Sequence, residues 1–587
     1  MRRLSSSRIG LLALFLLFEM LSATAQKSAA GLDREQLYRE GARYLQQGDL
    51  AHAQEIFEKL VRIAPNFAEG RQSLGRSLLF SGKTDQAIAQ FQRALTIKPT
   101  LLAARISLSE AFSAKGDYEQ AIGEARKAVQ LSGRDAEARR TLGRALSHHA
   151  DLSAALAELK LATELAPKRA DLHDDHGALL ARNSEPEAAA SEFAEALRLD
   201  PKFVAAKIHL GVVRWKQHSL GDAQQLLKSA VVAAPQNVQA HYYLARVLGE
   251  KGDSQGALRE LQAAVKLQPG FADAQSQLGL ALQRTGDAAG AVAVFRQVVA
   301  SQPASADAHN NLGLALIQIG DAPSAVEEFK AALRIQPDDA GYRGNLGIAY
   351  LHRADFDAAI AEFRTALQGT PDDATLHYNL GLALKLKDSL AAAVEEFQKA
   401  AQLDPKQADI HYTLGVTLWQ QGEFSQAIAE LRAATGIRPD YAEAYYTMGT
   451  VLKQQGNLSE AASTLREAIR LQPDFAGAHT TLAGVLRQLG DSAGAAAESK
   501  LGAEMAKSAN ALQAATFSTN SGRRFLNAGD FEAAVSQFRS AIVQSATYAP
   551  AHYYLAMALK AQGKTEEANA EFRKAAELDP HLQPPSP

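Results

Sequence analysis

The chain has 587 residues, 47% of them hydrophobic and 22% charged, with a formal net charge of −3 and no cysteine. This is the composition of a folded soluble protein, and its charge balance provides no basic field to hold nucleic acid. Without cysteine there are no disulfides, thiolate nucleophiles, iron–sulfur clusters or cysteine-based zinc sites.

The N-terminus reads as an export signal. Arg2, Arg3 and Arg8 make a basic start, Ile9 to Phe18 is apolar apart from Gly10, and Ala23-Thr24-Ala25 places small residues where a signal peptidase reads. Residues 1–25 are therefore expected to be removed by cleavage before Gln26. An apolar run this short falls well below the roughly 20 residues that cross a bilayer, so no stable membrane span is expected after cleavage. The expected location is the periplasm or the exterior of a bacterium. Residues 26–33 form a short linker.

From residue 34 onward one pattern dominates. Ala308-His309-Asn310-Asn311-Leu312-Gly313 returns as Leu376-His377-Tyr378-Asn379-Leu380-Gly381 and as Ile410-His411-Tyr412-Thr413-Leu414-Gly415, at spacings of 68 and 34. Proline recurs at the same pitch, as at Pro201, Pro235, Pro269, Pro303 and Pro337. A 34-residue repeat with proline at position 32 fits fourteen contiguous copies over 34–509 and two more over 515–582. Residues 510–514 break the register, and a proline-rich tail at 583–587 is expected to be disordered.

The repeat's chemistry specifies two helices. Position 8 is always Gly, Ala or Ser, and position 20 is Ala in all sixteen repeats, from Ala53 to Ala568. Small residues at these places on two different helices permit close approach. Leu at position 7 and Phe or Leu at position 24 fill the space between them. Position 15 is Gly in eleven repeats, often followed by Asp, which ends one helix and caps the next. Proline ends the second helix. Helices this short are marginal alone and are covered only by stacking. The expected fold is all-α, a right-handed α-solenoid superhelix of sixteen helix-turn-helix repeats. Near the register break, Ala495 to Ala515 fits one longer helix.

Leu-Gly at positions 7 and 8, Ala at 20, the aromatic at 24, Ala at 27 and Pro at 32 resemble the tetratricopeptide repeat family over residues 34–582. The resemblance implies a superhelix whose first helices line a concave groove, with positions 2, 5, 6, 9, 12 and 13 facing it. It implies binding of peptides or protein segments, no enzymatic activity and no cofactor. Position 4 departs from the family, where Trp is common. It is His in seven repeats, at His173, His241, His309, His377, His411, His479 and His552. Equivalent positions in stacked helices lie about 10 Å apart, too far to share a zinc whose ligands sit at about 2 Å. No metal site is expected, and the histidines read as packing residues.

Position 6 carries Asn311, Asn345 and Asn379 in successive repeats. The ladder is similar to the one lining the repeat superhelix of O-GlcNAc transferases, where it implies a grip on peptide main chain. Amides that donate and accept suit that task, although Asn is also a common consensus residue there. Leu280, Leu314, Ile348, Leu382 and Val416 make an apolar stripe at position 9. Trp215 and Trp419, the two tryptophans, both fall at position 12 and are read as facing the groove, whereas tyrosines at position 5 such as Tyr378 and Tyr412 read as packing within repeats. Residues 68–150 hold 13 Lys and Arg against 8 Asp and Glu. There Arg71, Arg105 and Arg139 occupy position 4 and Arg76 and Arg144 position 9, a candidate anchor for an acidic peptide or a polyanionic glycan or else a solvated face.

These features point to an exported scaffold or adaptor for protein or extended peptide partners, with a role in cell-envelope assembly. An accessory of polysaccharide export is the neighbouring reading. The repeat portion of a glycosyltransferase is disfavoured, because no stretch remains for two nucleotide-sugar-binding lobes. The sequence assigns no oligomeric state.

Overall fold

Two helices approach closely where one of them carries little or no side chain, and position 8 provides such a place in every repeat, as glycine in twelve and as alanine or serine in four. A Cβ added to Gly313 would lie 2.6 Å from the Phe329 ring, and one added to Gly75 would lie 2.4 Å from the Phe91 ring. The ring therefore occupies the space that a side chain would need. In the computed structural model Phe57, Phe91, Phe295, Phe329, Phe363, Phe397 and Phe538 are fully buried at position 24. The alanine at position 20 is buried in every repeat, from Ala53 through Ala325 to Ala568.

The structure describes residues 33–149 and 151–584. The signal expected at 1–25, nearly all of the linker and residues 585–587 of the tail lie outside the described residues. Among the described residues every regular element is an α-helix. The chain divides into two compact units, Met1–Ser301 and Gln302–Pro587. In the first, residues 33–46 are helical, and pairs follow such as Ala170–Arg182 with Pro186–Leu199, ending at Ala288–Ser301. In the second, pairs run from Ala306–Gln318 with Ala322–Ile335 to Ala549–Ala561 with Thr565–Leu578. Within each unit a helix packs on its neighbours in sequence, which makes each an all-α solenoid.

The turn inside each pair explains the glycines. At position 15 the backbone is left-handed, with φ between 75° and 87° at Gly48, Gly82, Gly116, Gly252, Gly286, Gly320, Gly422, Gly456, Gly490, Gly529 and Gly563. The following residue caps the second helix where it is Asp: Asp49, Asp117 and Asp321 accept from the main-chain N–H of His52, Gln120 and Ser324. Four described repeats hold the same conformation without glycine, at Ser184, His218, Ala354 and Asp388, with φ of 58° to 63°. A left-handed conformation costs an L-residue about 1–2 kcal/mol, and glycine gives back part of the difference through its looser unfolded chain. Ala354→Gly is therefore expected to stabilise the protein by about 0.5–1 kcal/mol, seen as a higher melting midpoint. A lower midpoint would show that Ala354 is not strained.

The pairs change near the C-terminus. Ser492–Asn527 is one helix of 36 residues that replaces a second helix, a connection and a first helix. No proline interrupts it, since Lys507 stands where most repeats have proline. Residues 510–514 are thus helical rather than a loop.

Candidate functional site

Position 4 forms a bridge between repeats. In all seven cases His Nδ1 lies 2.6 Å from the carboxylate of a Glu nineteen residues on, in the second helix of the same repeat. The other ring nitrogen lies 2.9–3.3 Å from a carbonyl oxygen six residues back, at the end of the preceding repeat. The ring ties three elements together, which is more than filling space. No group of three or more His, Asp or Glu among the described residues is placed to hold a metal ion.

Arginine does the same work in other repeats. Arg105 donates to Glu124 and to the Pro99 carbonyl, and Arg139 to Glu158 and the Gly133 carbonyl. Arg71 donates to the Pro65 carbonyl and to Gln90. This corrects the expectation of an acidic-ligand anchor at Arg71, Arg105 and Arg139: their donors are directed into the fold. Arg76 and Arg144 do face a cavity, of 360 Å³, but Glu110 and Glu137 line it with them, so its charge is balanced. Burial and the neighbouring Glu137 raise the Glu110 carboxyl above its ordinary value, against the pull of Arg76 and Arg144.

The bridge makes a testable prediction. His377→Ala would strip two bonds and leave Glu396, whose side chain is 15% exposed, short of a donor. A loss of about 2 kcal/mol in urea unfolding is expected. His377→Arg should recover most of it, because Arg343 already bridges Glu362 and the Pro337 carbonyl one repeat earlier. If Arg is no better than Ala, the bridge is not what holds the joint. Burial works to raise the Glu396 carboxyl, yet hydrogen bonds from His377 and Lys399 outweigh it and hold the group below its ordinary 4.5. A depressed carboxyl stabilises the fold above its unfolded value and loses that contribution as pH falls through the folded one. Acid destabilisation below about pH 4.5 should therefore be shallower in His377→Ala than in the parent.

The ladder positions stand one repeat apart on the helices Ala306–Gln318, Ala340–His352 and Ala374–Leu386. All three asparagines are half-buried. Asn345 Nδ2 donates to Asn310 Oδ1 at 2.8 Å, which ties it to the helix before it. Asn311 and Asn379 have no side-chain hydrogen bond to the described protein. Beside them Ile348, Leu382 and Val416 are half-buried and Leu314 is 37% exposed, all in the second unit. Leu280, half-buried, belongs to the first unit.

Both tryptophans are half-buried and anchored. Trp215 Nε1 donates to Glu250 Oε1 at 2.8 Å and Trp419 Nε1 to Gln454, in each case on the next first helix. Arg246 lies over the Trp215 ring at 4.8 Å. The position-5 tyrosines pack within their own repeats, as in Tyr378 with Phe397 at 5.6 Å and Tyr412 with Tyr441 at 5.0 Å.

One feature escaped the sequence reading. In the first unit a cavity of 740 Å³ opens across the helices Ala170–Arg182, Val204–Lys216 and Val238–Glu250. Ten of its sixteen lining residues fall at positions 2, 5, 6, 9, 12 and 13, the face implied for the groove, among them Ala178, Ala181, Ile208, His209, Val212 and Tyr243; the others, such as Phe193 on a second helix, do not. It exists because this repeat has alanine at both position 9 and position 12, at Ala178 and Ala181, where the next has Val212 and Trp215. Two adjacent alanines on one groove face were the available signal.

A family profile described as tetratricopeptide repeat matches residues 38–101, 175–238, 210–272, 242–296, 276–340, 345–408 and 446–504. Two further profiles with the same description match 386–450 and 549–582. No curated protein matches the chain. Among solved structures, the APC/C hetero-tetramer Cut9-Hcn1 is 15% identical, covering 77% of this chain and 96% of that one at a TM-score of 0.37. Yeast Tom70 is 16% identical, covering 72% and 96% at 0.36. YrrB, titled a TPR protein with an unusual peptide-binding site, is 27% identical, covering 34% and 97% at 0.29.

Proposed function

We propose, from the premise that this chain belongs to the tetratricopeptide repeat family, that it is a non-enzymatic scaffold holding protein or extended peptide partners on the face of its first helices. It does so outside the cytoplasm, in the assembly of a bacterial cell envelope. The observation that carries the binding reading is in the second unit. A row of half-exposed apolar side chains, Leu314, Ile348, Leu382 and Val416, runs beside amides at Asn311 and Asn379 that make no side-chain bond to the described residues. Apolar surface with hydrogen-bonding groups left over suits the side chains and main chain of a bound segment. The export reading rests on the basic, apolar and small-residue succession of residues 2–25.

The test is affinity capture from cell-envelope extracts with residues 26–587 as bait, beside a bait carrying Asn311→Ala, Asn345→Ala, Asn379→Ala and Trp419→Ala. A protein recovered by the first and lost with the second is the expected result. Equal recovery by both would move the site off this face, and no specific recovery by either would remove the scaffold reading. Fractionation of cells expressing the full chain tests export: the expected N-terminus is Gln26 in the periplasm or medium, and an uncleaved cytoplasmic product would overturn it.

A further inference from the structure

The cavity of the first unit has a chemistry of its own. Its floor is apolar: Ala178, Ile208 and Val212 lie over Phe193, which is 1% exposed. Its rim is cationic, with Arg182 and Lys216 both exposed at position 13 of successive repeats. No Asp or Glu is among the residues that line it. Among the described residues neither cation has a carboxylate partner, and Arg182 donates only to the Ser147 carbonyl, at 3.2 Å. Asp174, which is 6% exposed, is held by the ring of His209, a lining residue, at 2.8 Å. This contrasts with the cavity beside Arg76 and Arg144, where carboxylates balance the arginines. Here two positive charges stand unneutralised beside an apolar hollow.

We infer that this cavity takes a bulky apolar side chain of an extended partner segment that carries an Asp or Glu within a few residues of it. The apolar side chain fills the space left by Ala178 and Ala181, and the carboxylate meets Lys216 and Arg182. The inference rests on the scaffold reading and names the partner chemistry for this part of the face. Three features support it. The volume of 740 Å³ lies within the roughly 300–1,000 Å³ of sites that enclose a ligand. Binding energy concentrates where a large side chain enters a desolvated pocket. Unpaired rim cations select partners by charge and hasten their approach. A partner with a basic residue in place of the acid is excluded by the same charges. Gln239 and Tyr243 at the edge supply an amide and a hydroxyl for partner main chain.

The test uses a random-peptide phage library selected on the full chain, with the enriched peptide then synthesised and titrated by fluorescence polarisation. The expected consensus pairs an aromatic or long aliphatic residue with a nearby acid. Ala181→Trp should weaken that peptide about tenfold or more by filling the cavity. That variant is expected to fold, since tryptophan already stands at the same repeat position in Trp215 and Trp419, and a melting curve checks it. Lys216→Glu should weaken binding several-fold, and a peptide with Lys in place of its acid should bind Lys216→Glu better than it binds the parent. A consensus with no acid, or binding unchanged by Ala181→Trp, would overturn the inference while leaving the scaffold reading standing. Sodium dodecanoate is the control for a lipid site: if it binds and Ala181→Trp abolishes that binding while the peptides bind elsewhere, the cavity holds acyl chains and the inference fails. If no peptide is enriched the inference also fails, and the envelope-capture experiment decides the scaffold reading separately.

Discussion

Phe329→Ala is expected to destabilise the protein by about 3–5 kcal/mol in urea unfolding followed by circular dichroism. The ring is fully buried between the helices Ala306–Gln318 and Ala322–Ile335. Its edge stands where the Cβ of residue 313 would be, 2.6 Å from that point. Truncation therefore removes the ring and leaves a hole that Gly313 cannot fill, because it has no side chain. The alanines around it, Ala325 and Ala332, are equally short. Sites that cannot collapse fall at the upper end of the range for such truncations. The pair is asymmetric. Gly313→Ala should be far milder, since the last pair places Ala556 opposite Phe572 and keeps the ring 3% exposed. A loss below about 1 kcal/mol for Phe329→Ala would mean that the helices close over the gap.

The repeated contacts at positions 8, 20 and 24 were legible in the sequence because each is a property of one residue read against a fixed period. A small residue recurring every 34 places has few explanations other than close packing, and the left-handed glycine at position 15 is of the same kind. The long helix could also be read, from the missing proline at Lys507. What the period does not carry is pairing. His377 meets a Glu nineteen residues later and a carbonyl six residues earlier. Neither spacing lies on one helix face, so a histidine row looked like packing and an arginine row looked like an anchor. With Arg343 and His377 in the same bridge, the two rows are one device in two residue types. The cavity was missed for the opposite reason. It is made by what Ala178 and Ala181 lack, and attention to aromatic and charged residues passes over alanine. The tryptophans lie between these cases. Their position-12 placement was readable, but the bonds of Trp215 to Glu250 and of Trp419 to Gln454 span 35 residues.

A proline in the long helix should have the other large effect. Asn510 is exposed near the middle of Ser492–Asn527, so no buried contact is lost when its side chain is replaced. Asn510→Pro removes one main-chain N–H and drives the pyrrolidine ring against the carbonyl of Ala506, at a cost of about 3 kcal/mol or more. The consequence differs from that of a proline at the end of an ordinary repeat. Pro337, for example, follows a helix that has already ended at Ile335, and the chain there turns to begin the next pair. Asn510 has no such turn to fall in. Its helix packs on Ala476–Gln488 through one end and on Phe531–Gln544 and Ala549–Ala561 through the other. The buried residues sit at the two ends, Ala495 and Gly502 toward one and Ala515, Ser518, Thr519 and Gly522 toward the other. Between them, from Ala503 to Gln513, few side chains are covered, so this stretch is held by its own main-chain bonds and not by packing. A break there should open the stretch to proteolysis and free the pairs that follow to unfold on their own. The expected readout is a new cleavage between Ala503 and Gln513 and a separate, earlier unfolding step for the segment after it. Hydrogen exchange should rise first in the same stretch. If Asn510→Pro instead melts in one step with the parent's protection pattern, the two ends are held in place by their neighbours and the continuity of the helix carries no stability.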